Sequence, residues 1–201
     1  MAVENVVVVR FPEPSKAYQA LSVLKDADAA GRIGLESAAV VERTAQGELR
    51  VPESADNLEL MGTASGSLVG MLVGVLGGPV GLLIGWGAGA LMGGAFDLDR
   101  AETSDEALSV LGRAIEPGST AVIAQVEEPV VEVIDGEMAM LGGEVTRRPV
   151  AEVMDELEAA EKAADAAARE ARRTVREQHK AEVKADVDER VGKLKEKLHI
   201  S

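Results

Sequence analysis

LMGTASGSLVGMLVGVLGGPVGLLIGWGAGALMGGAF, residues 60–96, is a run of thirty-seven residues without an ionisable side chain. Glycines recur in it at steps of four, and such steps place residues on one face of a helix. They are Gly62, Gly66, Gly70, Gly74 and Gly78, followed by Gly81, Gly85, Gly89 and Gly93. Pro79 separates the two series, and a proline interrupts a helix. The pattern predicts a helical hairpin with arms over about Met61–Leu76 and Pro79–Ala95.

The glycine stripes indicate close packing of helix backbones. Each glycine inside a helix costs about 1 kcal/mol relative to alanine, and only a close approach of backbones offsets that cost. The opposite faces carry large aliphatic side chains such as Leu72 and Leu83. This pattern resembles the membrane glycine zipper, whose small face meets helices and whose large face meets lipid. A hairpin buried in a soluble assembly is the alternative. We assign the nine glycines to helix packing and oligomerisation.

The length of the arms does not decide between these two interpretations. The arms have sixteen and seventeen residues, whereas a helix that crosses a bilayer perpendicularly needs about 20. The flanks of the run are mainly acidic, whereas a cytoplasmic flank is usually rich in lysine and arginine.

Outside this run the chain alternates short strands and helices. The four consecutive valines Val6–Val9 are typical of a strand buried on both faces. Hydrophobic spacing and turn residues predict strands at Asn5–Arg10, Leu35–Arg43, Glu48–Val51, Thr120–Val126 and Glu144–Arg148, and helices at Ser15–Ala30, Thr103–Ala114 and Pro129–Leu141. Thr103 or Ser104 is the expected N-cap of its helix.

The order of these elements predicts the fold class. Without the glycine-rich run and the short helix after it, the chain reads strand, helix, strand, then strand, helix, strand. This is the split βαβ arrangement of ferredoxin-like α+β domains, with four strands backed by two helices on one face. The two halves of the domain are expected at residues 1–52 and 119–148, the inserted hairpin with its short helix at 53–118, and a charged helical tail at 149–201.

The tail is predicted to be one long helix. Between Val150 and Leu198 there is no proline and a single glycine, Gly192, and a continuous helix of this length would extend about 70 Å. Arg169, Arg172, Arg173 and Arg176 form a basic cluster in it. Contact with anionic lipid or with the acidic face of another subunit is one interpretation, and a solvated face with ion pairs is the other.

Composition excludes several classes of function. The formal net charge is −14 and the pI is about 4.6, which argues against a nucleic-acid partner. The absence of cysteine excludes disulfides and thiolate chemistry. The N-terminal residues lack the basic and apolar regions of an export signal.

No motif of catalysis, cofactor binding or metal binding is recognised. The glycine pairs around Gly85 lack the preceding strand and the following acid of a dinucleotide site. Asp97, Asp99 and Glu102 could hold a hard cation weakly, but solvated charges at element ends are the plainer interpretation. His179 and His199 stand alone in the tail. We therefore expect no enzyme activity, no cofactor and no metal.

The order of the predicted elements, together with the glycine stripes at Gly62–Gly94 and the turn at Leu141–Val145, resembles a known bacterial family. It is catalogued as a domain of unknown function (number 1269) and described as predicted membrane proteins. The resemblance covers about residues 4–148 and not the tail. It implies a ferredoxin-like domain with a glycine-rich hairpin, no known activity, and an association with stress or envelope genes.

The leading hypothesis is a non-enzymatic structural or interaction protein that associates with itself and is attached to a membrane by the hairpin. Both termini would then lie in the cytosol, at the cytoplasmic membrane. The first alternative is a cytoplasmic, soluble homo-oligomer such as a ring, shell or filament, with the hairpins bundled in its core. The second is a ligand-binding regulator that uses the ferredoxin-like sheet. The expected partners are further copies of the chain and membrane lipid, and the sequence does not identify a partner of the tail.

Overall fold

The computed structural model describes residues 3–52, 67–77 and 106–163, together with residues 165, 166, 168–170, 172, 173 and 176. Most of the predicted hairpin lies outside the described residues, and so do seven of its nine glycines: Gly62, Gly66, Gly78, Gly81, Gly85, Gly89 and Gly93. The chain divides into two compact units, Met1–Ala160 and Glu161–Ser201.

The fold is mixed α+β. In chain order the elements are β1 (Val3–Phe11), α1 (Pro14–Ala29), β2 (Gly34–Arg43), β3 (Leu49–Arg50), α2 (Leu68–Gly77), α3 (Ala107–Ala114), β4 (Thr120–Glu128), α4 (Glu132–Met140) and β5 (Glu144–Pro149). A fifth helix, α5, begins at residue 150, is unbroken to residue 163, and is helical at every further described position up to 176.

The five strands form one antiparallel sheet in the order β3-β2-β4-β1-β5. β4 therefore lies between β1 and β2, which α1 connects, and β1 lies between β4 and β5, which α4 connects. In the register, Val8 is opposite Ile123 on β4 and opposite Thr146 on β5. A bulge between Leu35 and Ser37 shifts the register of β2.

The first face of the sheet is covered by α1 and α4. Its core contains, among others, Val7, Val9, Phe11, Leu21, Leu24, Val122, Ile134 and Met138, all at most 2 % exposed. Gly143 allows β5 to approach this core, because a Cβ atom there would lie 2.6 Å from Cε1 of Phe11.

The second face is covered by α2, α3 and the first turns of α5. Its core contains Val6, Val8, Ala39, Val41, Leu72, Leu76, Leu111, Ile115, Ile123, Val153 and Leu157. The expectation of helices on one face is therefore incomplete. The continuous apolar runs of β1, β2 and β4 have side chains on both sides of the sheet, and each side needs a cover.

Two helices begin later than predicted. α3 has Glu106 at its N-cap position without a side-chain cap hydrogen bond, so the assignment of this role to Thr103 or Ser104 is wrong; both residues lie outside the described part of the chain. α4 begins at Glu132 instead of Pro129, because the backbone before it forms a turn in which N–H of Val133 donates to the carbonyl of Val130 at 3.3 Å.

Candidate functional site

The aliphatic face of α2 packs against the sheet. Leu68, Val69, Leu72 and Leu76 are at most 5 % exposed and belong to the core of the second face. These are the side chains that the membrane interpretation turns toward lipid. At the start of the helix, the hydroxyl of Ser67 accepts a hydrogen bond from N–H of Gly70 at 3.1 Å, in the manner of an N-cap.

The glycines of α2 differ in what surrounds them. A Cβ atom at Gly77 would lie 3.4 Å from the carbonyl oxygen of Leu49, an ordinary contact distance, so β3 lies beside this glycine without requiring it. Gly70 is half-buried and Gly74 is exposed. In the part of the chain that the structure describes, a Cβ atom added at Gly74 would meet nothing within 4 Å beyond its own helix and chain neighbours. The described residues therefore give no steric reason for glycine at 74.

The α2 sequence, LVGMLVGVLG, has no polar side chain on any face. A helix that lies on one face of a sheet normally carries polar residues on its outer side. The outer side of α2 instead presents Gly74 and Gly77, with Met71, Val73 and Val75 half-buried beside them. We call the positions Gly70, Gly74 and Gly77 the glycine face of α2.

The first turn of α3, which follows the insert, is held by a side chain of α5. The carboxylate of Glu156 on α5 accepts hydrogen bonds from N–H of Ala107 at 2.7 Å and from N–H of Leu108 at 2.8 Å. Such a carboxylate satisfies free amide groups of the first helical turn and complements the helix dipole. Sequence analysis missed this contact because 48 or 49 residues separate the partners, so no local capping pattern records it.

A polar network closes one end of the first core. The Glu128 side chain has 0 % exposure. It accepts hydrogen bonds from Asn5 at 3.2 Å and from Arg147 at 3.3 Å, and Arg147 also donates to Asp135 at 2.6 Å. Burial lowers the pKa of Arg147, but the hydrogen bond to Asp135 and the charges of Glu128 and Asp135 outweigh it, so that this pKa lies above its ordinary value. The network ties α4 to three strands.

Arg43 is a second buried cation. It is 2 % exposed, and burial lowers the pKa of its guanidinium. Its Nη1 donates to the carbonyl of Gly47 at 3.4 Å, whereas its buried Nε and Nη2 have no hydrogen-bond partner within the described residues.

A shallow cleft of about 90 Å³ lies at the end of α3. Its lining consists of Arg10, Arg113, Ala114, Glu116, Glu144 and Thr146. Arg10 is paired there with Glu116 at 3.0 Å and with Glu144. The lining contains the hydroxyl of Thr146 and the carboxylates of Glu116 and Glu144, and both carboxylates are paired with Arg10.

Two features are absent from the residues that the structure describes. Among them no cluster of three or more histidine, cysteine, aspartate or glutamate side chains could hold a metal ion. No helix in the described ranges has both the length and the apolar character needed to cross a membrane. The cation-binding alternative at Asp97, Asp99 and Glu102 lies outside these ranges.

Comparison with known proteins gives one match. Residues 63–162, just under half of the chain, match the model of a family described as "Protein of unknown function (DUF1269)". This segment is thus similar to a domain of that uncharacterised family. The match begins later than the resemblance expected from residue 4, and it extends beyond residue 148 into α5. No curated protein and no solved structure matches the chain.

Proposed function

We propose that the protein is a non-enzymatic interaction protein that associates with itself, and that the glycine face of α2 is part of the contact between copies. The observation that supports this proposal most strongly is Gly74, an exposed glycine in the middle of a helix. Glycine there costs about 1 kcal/mol relative to alanine. Because no neighbouring atom among the described residues requires it, we attribute it to a close approach by another molecule.

The character of α2 as a whole supports the same conclusion. Its leucines are used inside the domain, and its outer side offers glycine and parts of the Met71 and valine side chains to a partner. Exposed apolar surface of this kind marks interaction sites in soluble proteins. A second helix can approach a glycine face more closely than any other helical surface.

We also propose that the domain is of the ferredoxin-like class, with the insert between β3 and α3. The strand order β2-β4-β1-β5, with α1 and α4 as its connections on one face, supports this assignment. The added features are the edge strand β3 and the three helices of the second face. Because helices cover both faces in the described residues, we favour self-association over a ligand site on the sheet surface.

Membrane attachment is a second candidate. The uncharged run of residues 60–96 favours it, since nineteen of its residues, 78–96, follow α2 in the chain. In this candidate the second predicted arm, rather than α2, contacts the lipid.

The test compares two leucine substitutions at exposed helical glycines. Gly136 on α4 matches Gly74, because a Cβ atom there also meets nothing within 4 Å, but charged residues such as Glu132 and Glu137 surround it in sequence. Light scattering should give a mass well above 21.0 kDa for the wild-type chain and for Gly136→Leu, and a lower mass for Gly74→Leu.

Two outcomes would count against the proposal. A monomeric wild type would exclude self-association, and equal masses for both variants would exclude the glycine face as the contact. Flotation with liposomes separates the second candidate: wild-type protein that floats at the same level as Gly74→Leu, without a change of mass between them, would favour membrane attachment.

A further inference from the structure

Acidic and basic side chains occupy different parts of the tail helix. Residues 150–168 contain six acidic side chains and one basic one, whereas residues 169–176 contain four arginines and one glutamate. The sign of the charge therefore changes along α5, close to residue 168.

Within the second unit these charges lie on one face of the helix. Glu161, Asp165, Arg169, Arg172, Arg173 and Arg176 fall within an arc of about 120° at 3.6 residues per turn. Lys162 lies in the same arc, and all seven side chains are exposed. We call this set the charged face of α5. The pair between Arg169 and Asp165 is long, 3.8 Å, and its side chains are 81 % and 78 % exposed. Such a pair stabilises a single helix little, so both side chains can form stronger pairs with another molecule.

We propose that the charged face of α5 pairs with the same face of a second copy, with the two helices antiparallel. An antiparallel arrangement places the acidic half of each helix opposite the basic half of the other, whereas a parallel one places like charges together. A two-fold axis near residue 168 would bring Asp165 of one copy close to Arg169 and Arg172 of the other, and Glu161 close to Arg173 and Arg176. The contact is self-complementary, as two-fold contacts are.

Charge complementarity identifies a second copy as the occupant. The face contains both halves of a complementary pair, and a uniformly anionic surface such as lipid would be attracted by one half and repelled by the other. Residues 1–160 contain ten basic and twenty-six acidic side chains, a net charge of −16, which further disfavours approach to an anionic surface.

This inference rests on the proposed self-association and assigns the tail a role within it. Exposed ion pairs determine orientation and specificity more than affinity. Association through the glycine face would raise the local concentration of tails, and the charged faces would then fix how two copies are oriented.

The first experiment reverses the charges in full-length protein. Glu161→Arg with Asp165→Arg makes the face basic, and Arg169→Glu with Arg173→Glu makes it largely acidic. At low salt we expect each variant to associate with itself roughly tenfold more weakly than wild type, and a mixture of the two to recover association. The difference should disappear near 1 M salt, where the Debye length is about 3 Å. Arg32→Glu with Arg50→Glu, which reverses two exposed arginines outside the tail, is the matched control and should have no such effect.

The second experiment measures the orientation. The chain has no cysteine, so Ala168→Cys and Ala159→Cys each provide one position for a spin label, and both positions are exposed. In an antiparallel pair centred near residue 168, the labels at 168 lie almost level along the axis, whereas those at 159 are offset by about 27 Å. A clearly longer distance between copies at 159 than at 168 supports the proposal.

Different results would overturn the two proposals, tail pairing and self-association. Equal label distances at 159 and 168, or assembly that the reversed variants leave unchanged, would overturn tail pairing while leaving self-association in place. A wild type that stays monomeric would overturn both.

Discussion

The two faces of the sheet are covered in different ways. The first face is covered by α1 and α4, the helices that connect the strands of the two split βαβ units. The second is covered by α2, α3 and the start of α5, which come from the insert and the tail. The first core is thus built from chain segments close in sequence to the strands they cover, and the second from segments added to that plan.

The difference shows what the insert does for the fold. Its α2 and α3 are required to bury Val6, Val8, Ile123 and Val41, which would otherwise be exposed on the second face. The match to the family of unknown function spans all of α2 and α3 and ends at residue 162, two residues beyond Ala160, the last residue of α5 that packs against this core. At Gly74 on the outer side of α2, in contrast, an added Cβ atom would meet nothing within 4 Å among the described residues.

The largest expected effect concerns the network that closes the first core. Arg147→Leu leaves the buried carboxylate of Glu128 without its cation, and loss of one partner of a buried pair costs about 3–5 kcal/mol. Urea denaturation should show this loss of unfolding free energy. Arg32→Leu, which removes only the exposed pair with Glu137, should cost less than about 1 kcal/mol. Similar values for both variants would show that the network does not stabilise the first face.

A matched pair of core truncations compares the two faces directly. Leu24 on α1 and Leu157 on α5 are both 2 % exposed. Each change to alanine should lower the unfolding free energy by about 3 kcal/mol, because buried leucine truncations cost 2–5 kcal/mol. A much smaller loss for Leu157→Ala in denaturation experiments would mean that the tail covers the second face only loosely.

The carboxylate cap at α3 should have a moderate effect. Glu156→Ala removes both hydrogen bonds to the first turn of α3, and loss of a helix cap costs about 1 kcal/mol. Glu152→Ala, an exposed residue one turn earlier in α5, is the control and should be nearly neutral. Faster amide exchange at Ala107 and Leu108 in Glu156→Ala, without a change at α1, would locate the effect.

The smallest effect is an increase of stability. Gly74→Ala and Gly136→Ala should each stabilise the unassociated chain by about 0.5–1 kcal/mol. Alanine is the better helix former, and neither added methyl group meets a neighbour among the residues that the structure describes. Thermal unfolding at high dilution measures this. A loss of stability for Gly74→Ala alone under those conditions would show that its surroundings are filled within a single chain.

Much of the fold could be predicted from the sequence because its signals are local. The valine run of β1, the turn glycines and the helical spacing of α1 give elements whose bounds agree with the structure within a few residues. The position of the first helical arm was predicted as well, since α2 lies within Met61–Leu76 except for its last residue. The cover of the second face could not be predicted, because the contacts of Leu72 and Leu157 with the sheet join segments far apart in the chain.

The polar contacts likewise could not be predicted from the sequence. Glu156 and Arg147 each resemble ordinary surface charges in the sequence, and only the fold brings them to an exposed helix terminus and a buried carboxylate. The nine glycines were assigned to helix packing from their spacing alone. Of these, Gly70 and Gly74 lie in the described residues, and their packing role stays a prediction that the glycine substitutions test.

The account depends most on the orientation of α2, with leucines toward the sheet and glycines toward another copy. Its most direct test is the rate of thiol labelling in the variants Leu72→Cys, Gly74→Cys and Gly136→Cys of the cysteine-free chain, measured over a range of protein concentrations. The account predicts slow labelling at 72 throughout, labelling at 74 that slows as the protein assembles, and constant fast labelling at 136. Labelling at 74 as fast as at 136 at every concentration, or fast labelling at 72, would contradict it.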